Sequence, residues 1–191
     1  MKLVGIVGSA ARSGRTRLAV ELAAQAAQEA LPGLALDVMD LAELQLGFAG
    51  SATQPTRDDT AAVLDRVAAG DMFIISSPIY RGTYTGALKN LLDLIPLESL
   101  EGKPVGLIAT GATAHHYLAI DAGLRPVLAW FNAAVLPGSV YLEHHDYQDG
   151  QVTSERVRSE LAELGTALAQ SAQRLAGLEA LPRSLAGRMR G

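Results

Sequence analysis

Met72-Phe73-Ile74-Ile75-Ser76-Ser77, running on into Pro78-Ile79-Tyr80-Arg81-Gly82-Thr83-Tyr84-Thr85-Gly86, holds the pattern on which the fold turns. The first part is a short, nearly continuous apolar run closed by Pro and Gly. It is too short for a helix and reads as a strand buried on both faces. Upstream lies Thr56 to Ala69, with Val63 and Val67 four apart, a helix by its spacing. Downstream, Thr85 to Leu94 is a second helical stretch.

The same alternation extends to both ends. Leu3 to Val7 and Leu34 to Met39 read as strands, with an Ala- and Leu-rich helix over Thr16 to Ala30 between them. Leu18, Leu22 and Ala26 share one face of that helix, and Pro32-Gly33 stops it. Leu41 to Pro55 is a looser stretch. Pro104 to Ala109 is a fourth strand, His116 to Phe131 a helix that Pro126 kinks or divides, and Ala133 to Leu142 a fifth strand interrupted at Pro137-Gly138. A last helix over Thr153 to Leu178 carries a seam of Val157, Leu161, Leu164, Leu168, Leu175 and Leu178. Strands that alternate with helices predict an α/β three-layer sandwich with a parallel sheet and right-handed crossovers. The common five-strand solution is the flavodoxin-like order 2-1-3-4-5, whose ligands sit outside the carboxyl ends of the strands near the switch point. Residues 1–178 are expected to form one domain, and 179–191, with Arg183, Arg188 and Arg190, a fraying tail.

Composition narrows the chemistry. The 191 residues include no cysteine, which removes thiolate nucleophiles, disulfides, Cys-ligated zinc and iron–sulfur clusters. Redox chemistry would need an organic cofactor. A net charge of −4 argues against nucleic acid as a partner. The apolar start, Met1 to Ala10, precedes Arg12, Arg15 and Arg17, the reverse of a signal peptide, and the uncharged run Pro126 to Leu142 is short of a bilayer span. The expectation is a cytoplasmic protein without membrane contact.

Three loops follow the strands that flank the switch point. Gly8-Ser9-Ala10-Ala11-Arg12-Ser13-Gly14-Arg15-Thr16 leads into a helix N-terminus, where free N–H groups and the dipole favour an anion. Ser9, Ser13 and Thr16 add hydroxyls, and Arg12 or Arg15 a charge. A plain turn with Ser13 or Thr16 as N-cap accounts for the same residues. The loop lacks G-x-G-x-x-G. It also departs from a Walker A, with Ser9 for the first Gly and Arg15 for the Lys. In the second loop Pro78 stiffens the exit from the sheet, Gly82 and Gly86 permit close approach, and Tyr80 and Tyr84 can wall a ring. In the third, Thr110-Gly111-Ala112-Thr113-Ala114-His115 offers backbone N–H groups to developing charge. His115-His116 and His144-His145 lack carboxylates at ligand spacing and read as surface or cofactor-edge residues, with no metal expected.

Ser77-Pro78-Ile79-Tyr80, followed by Gly86-Ala87-Leu88-Lys89-Asn90-Leu91-Leu92-Asp93, resembles the NAD(P)H-dependent FMN reductases of the flavodoxin-like superfamily. Through Ala109-Thr110-Gly111, Ala119-Ile120-Asp121 and Leu124-Arg125-Pro126-Val127-Leu128 the chain is most similar to the alkanesulfonate-type branch, which feeds reduced flavin to a separate monooxygenase. The resemblance implies FMN and NAD(P)H as cofactors, with hydride passing from nicotinamide C4 to flavin N5 and no side chain required as acid or base. It implies Ser9, Arg15 and Thr16 at the FMN phosphate, Pro78, Ile79, Tyr80 and Arg81 along the ring, and Thr110, Gly111 and Thr113 at its other edge. Two positions depart from relatives: Gly14 stands where many have Ser, and Ala122 where some have an aromatic residue. An FMNH2-dependent monooxygenase is the implied partner. An FMN-bound quinone or azo reductase, or a flavodoxin-like electron carrier, are the alternatives on the same fold. The helices around Leu88–Ile95 and Leu118–Phe131 are apolar on more than one side, which predicts a homodimer or homotetramer.

Overall fold

The computed structural model describes residues 1–12, 14–51, 58–176 and 178. Strands β1 (Lys2–Val7), β2 (Ala35–Asp40), β3 (Met72–Pro78), β4 (Pro104–Thr110) and β5 (Ala134–Leu142) form a parallel sheet in the order β2-β1-β3-β4-β5. This is the flavodoxin-like topology that the alternation predicts. The period-2 alternation of the strands divides the core into two layers. Val4, Ile6, Phe73, Ile75, Val105 and Leu107 face helices α2 (Thr60–Ala68), α3 (Gly86–Leu94) and α4 (Ala119–Trp130). Leu3, Val7, Met72, Ile74 and Ile108 face α1 (Gly14–Ala30) and α5 (Glu155–Leu175). Every residue of β3 is buried, the apolar Met72 to Ile75 as their run requires and Ser76 and Ser77 with their hydroxyls bonded to the Ile6 and Pro78 carbonyls.

The buried face of α1 differs from the expected one. Leu18 and Leu22 lie at its margin, and the residues against the sheet and α5 are Thr16, Ala19, Val20, Ala23, Ala24, Ala26 and Ala27. Alanine is required because α5 approaches very closely: a Cβ on Gly165 would lie 2.0 Å from the Ala23 carbonyl oxygen. The α5 seam holds over Val157, Leu161, Leu164 and Leu168, continues with Ala169 and Ala172, and leaves Leu175 half-buried and Leu178 exposed. Thr16 sits within α1 and is therefore not its cap; Ser13, the other candidate, lies outside the described residues.

Pro126 does not divide its helix. α4 runs through it, with the ring on the exposed face, and the interruption comes earlier, where a short 3-10 turn over Ala114–His116 precedes α4. Pro137-Gly138 likewise leaves β5 continuous. Val105 pairs with Val135 and Leu107 with Ser139, so Leu136, Pro137 and Gly138 bulge opposite Gly106. Arg125 braces that bulge, donating to the Leu136 carbonyl at 2.7 Å, the Pro137 carbonyl at 2.8 Å and the Asp121 carboxylate at 2.6 Å. The Ser139 hydroxyl donates to the other oxygen of Asp121.

Between β5 and α5 stands a hairpin that the strand–helix alternation does not foresee. β6 (Tyr147–Gln148) and β7 (Gln151–Val152) are antiparallel and joined by Asp149-Gly150, both at positive φ (50° and 75°), the type I′ geometry of a two-residue turn. The expected tail, 179–191, lies outside the described residues. Among those described, no helix is long and apolar enough to cross a membrane.

Candidate active site

The carboxyl ends of β1, β3 and β4 open onto one cleft. The first loop is anchored at its root, where the Gly8 amide donates to the Ser76 carbonyl at 2.8 Å and the Thr85 hydroxyl donates to the Gly8 carbonyl. A Cβ on Gly8 would meet that Ser76 oxygen at 2.5 Å, so only glycine lets the two strand ends close up here. Ser9 is buried, and its hydroxyl shapes the loop by donating to the Ala11 carbonyl at 2.7 Å and accepting from the Ala11 amide at 3.2 Å. The chain then enters α1, whose first turn holds Arg15 and Thr16 and no acidic residue. Helix geometry leaves the N–H groups of that turn without intrahelical partners, next to a cation.

Thr16 joins two of the loops. Its fully buried hydroxyl is 3.0 Å from that of Thr110 at the end of β4. Ile79 joins a further pair, its amide donating to the Thr110 carbonyl at 2.8 Å. In the second loop the Ser77 hydroxyl donates to the Pro78 carbonyl at 2.8 Å and accepts from the Thr85 amide at 3.0 Å. Thr85 in turn caps α3, its hydroxyl accepting from the Leu88 amide at 3.1 Å. Tyr80 and Thr83 exchange backbone hydrogen bonds around a tip formed by Arg81 and Gly82, at φ 52° and 81°.

The third loop is held by β5. The Gly111 amide donates to the Leu142 carbonyl at 2.9 Å, and the Tyr141 hydroxyl donates to the Thr113 carbonyl at 2.7 Å. That hydroxyl fills the space a side chain at 111 would need: a Cβ there would lie 1.8 Å from it. Burial, with Glu143 nearby, raises the Tyr141 phenol above its ordinary pKa and keeps it a donor.

The resulting cleft, of about 260 Å³, gathers Arg15, Pro78, Ile79, Tyr80, Thr110 and Gly111, residues from all three loops. Ser9 and Thr16 stand behind its lining, shaping and joining the loops. Arg81 is exposed at the tip of its turn, and Thr113 is exposed with its hydroxyl 3.2 Å from His115 Nδ1; neither belongs to the lining.

A fourth wall comes from the segment after β5: Leu142, Glu143, His144 and Tyr147. The buried Asp146 carboxylate organises it by accepting from the Glu143 amide at 2.7 Å. Tyr147 then donates to the Arg15 carbonyl at 2.9 Å, and the Arg15 guanidinium lies over its ring, 6.0 Å from the centroid. Burial raises the Tyr147 phenol strongly, Asp146 acts in the same direction and Arg15 against it, so the group stays protonated and continues to donate. The sequence signal for this wall was Asp149-Gly150, a dipeptide of two-residue hairpins.

The donor set fits a phosphate ester carrying a flat ring. The lining combines Arg15, in the first turn of α1, with Pro78, Ile79, Tyr80 and the glycine backbone at 111. A profile of the NADPH-dependent FMN reductase family matches residues 1–148. The chain is 36% identical over 166 residues to an NAD(P)H-dependent FAD/FMN reductase of Geobacillus thermodenitrificans, covering 86% of this chain and 89% of that one. It is 35% identical over 161 residues to an NADPH-dependent FMN reductase of Pseudomonas aeruginosa, covering 84% and 86%. The crystal structure of an NADH:FMN oxidoreductase in its apo form superposes with a TM-score of 0.77 at 27% identity, over 97% of this chain and 95% of that one. The cleft at the switch point and these matches lead to one conclusion: the chain belongs to the NADPH-dependent FMN reductase family, flavin-reducing oxidoreductases that use FMN and a nicotinamide dinucleotide.

Proposed function

We propose that the protein binds FMN as an exchangeable substrate in this cleft and releases reduced FMN to a separate monooxygenase. The supporting observation is the convergence of Arg15 and the α1 N-terminus with Pro78, Ile79, Tyr80 and Gly111 around one cleft. Arg15 and the first-turn amides would hold the phosphate, with Thr16 and Ser9 fixing the loop that presents them. Pro78, Ile79 and Tyr80 would support the ring, and Thr110 and Gly111 would border its other edge. When bound, FMN supplies the N5 that accepts hydride from nicotinamide C4, so the protein contributes alignment and electrostatics and needs no side-chain acid or base. Arg81 and Thr113 are assigned to the rim. Transfer to a partner calls for modest affinity, because a tightly held flavin leaves slowly. Micromolar binding, about 8 kcal/mol, is within reach of a phosphate site and a stacked ring.

The test is NAD(P)H oxidation by extensively dialysed protein with FMN titrated in. Saturation at FMN concentrations well above that of the enzyme is expected. Full activity with one equivalent of FMN and a quinone, and no rise with more FMN, would identify a tight flavoprotein instead.

We also propose that a second copy of the chain covers α4. Leu118 and Trp130 are 55% and 60% exposed at the two ends of that helix, and the outward residues between them, Ala122, Pro126 and Ala129, are small and uncharged. Light scattering at micromolar concentration is expected to show a multiple of the 20.0 kDa chain; a monomer would refute this.

A further inference from the structure

Arg15 and Arg17 stand two residues apart in the first turn of α1 and are held in different ways. Arg17 is ringed by carboxylates, with Glu21 at 2.8 Å, Glu43 at 3.5 Å and Asp40 at 4.0 Å, so its charge is neutralised within the protein. Arg15 pairs with no carboxylate among the described residues. Tyr147 holds it instead, at two points: the phenol donates to the Arg15 carbonyl at 2.9 Å, and the ring lies under the guanidinium, 6.0 Å away at its centroid. Both contacts are neutral. Burial raises the phenol well above its ordinary pKa, so it does not ionise beside the cation. The arginine is thereby fixed while its charge stays free for an anion.

Arg15 needs such a hold. Its side chain is exposed and borders two hollows, the flavin cleft and a second one of about 340 Å³ between the head of α1 and the hairpin. An arginine with space on either side samples many rotamers, and confining it only when a ligand arrives weakens binding. Tyr147 lines both hollows and stands as the wall between them. Its own place is set by the fold. It pairs across the hairpin with Val152, which is buried in the layer of α1 and α5. The residue before it, Asp146, ties the hairpin to the head of α5: its carbonyl accepts from the Thr153 amide at 2.8 Å, and its buried carboxylate lies 3.7 Å from the Arg156 guanidinium.

Resting on the reading that Arg15 holds the FMN phosphate, we infer that Tyr147 is a positioning residue that presets Arg15 for a phosphate monoester and so makes the cleft prefer FMN to riboflavin. Riboflavin has the same ring and the same sugar-alcohol chain and lacks only the phosphate. A defect confined to Arg15 therefore weakens FMN alone, whereas a general loosening of the cleft weakens both.

Quenching of flavin fluorescence, titrated without nicotinamide dinucleotide, gives the two dissociation constants. Wild type is expected to bind FMN about thirtyfold more tightly than riboflavin, or better. Tyr147→Phe keeps the ring and loses the bond to the Arg15 carbonyl; Tyr147→Leu loses both contacts. The two variants are expected to narrow the ratio about threefold and about tenfold, with riboflavin binding held within about twofold of wild type. Arg15→Gln is expected to abolish most of the preference, and in that background Tyr147→Leu is expected to narrow it by less than about twofold more. The Arg15 carbonyl keeps its helical partner without the phenol, so Tyr147→Phe orphans no backbone group and decides the matter alone if Tyr147→Leu does not fold. Equal losses for the two flavins, or a ratio that the Tyr147 variants leave in place while Arg15→Gln collapses it, would overturn the inference and spare the phosphate assignment. A ratio that survives Arg15→Gln would overturn that assignment and the inference with it.

Discussion

Gly165→Ala is expected to lower the melting temperature by roughly 6–12 °C. The added Cβ would lie 2.0 Å from the Ala23 carbonyl oxygen and 2.9 Å from the Ala27 nitrogen. Both are backbone atoms of α1 and cannot rotate away, so α1 and α5 must part along their whole contact. Overpacking typically costs about 1–3 kcal/mol and occasionally more, and this site has no flexible neighbour to absorb the strain. In a chain of this size each kcal/mol shifts the midpoint by about 2–4 °C. Gly86→Ala, at the head of α3 where a Cβ meets nothing within 4 Å, provides the comparison: its midpoint is expected to stay or rise slightly. Equal, small shifts for the two variants would show that the α1–α5 contact gives easily.

Gly111→Ala is expected to weaken FMN binding at least tenfold, read by quenching of flavin fluorescence on titration. The methyl would occupy the position of the Tyr141 hydroxyl, 1.8 Å away, so either the tyrosine swings out or the third loop moves. Both outcomes break the bond from Tyr141 to the Thr113 carbonyl and shift Gly111 at the edge of the cleft. The clash has a single source, so a double-mutant cycle isolates it. In a Tyr141→Ala background, Gly111→Ala is expected to cost several-fold less than in wild type. Additive effects would mean that glycine at 111 serves something other than room for Tyr141.

The order of the sheet and the position of the cleft could be read from the sequence because they rest on short-range patterns. The run from Met72 to Ile75 is apolar without a gap and only small serines follow it before Pro78, and a strand of that kind has to be buried on both faces. Pro and Gly then mark where it leaves the sheet. What could not be read were contacts between distant segments. Leu18 and Leu22 look like the core face of α1 because they are large, yet α5 approaches so closely that the buried stripe is alanine, a fact set by Gly165 far along the chain. Arg81 sits beside Tyr80 in sequence but is turned outward by the tip of its own loop, which only the backbone angles reveal. Tyr147 and His144 complete the cleft from a segment that follows the last strand of the sheet. The hairpin that starts at Tyr147 is two residues per strand, too short to show alternation, and the Asp149-Gly150 dipeptide was its one local sign.

The pairing of α1 with α5 also orders events during synthesis. α1 leaves the ribosome well ahead of α5, yet each is the other's cover: Ala19, Ala23 and Ala27 face a helix that begins only at Glu155. The layer on the other side of the sheet, with α2, α3 and α4, draws its last described residue from Tyr141, ahead of α5. One half of the core can therefore close on a nascent chain while the other must wait for α5. A message cut short ahead of α5 yields a chain with a full sheet and one face covered by α1 alone, a species for chaperones and proteases rather than a smaller enzyme.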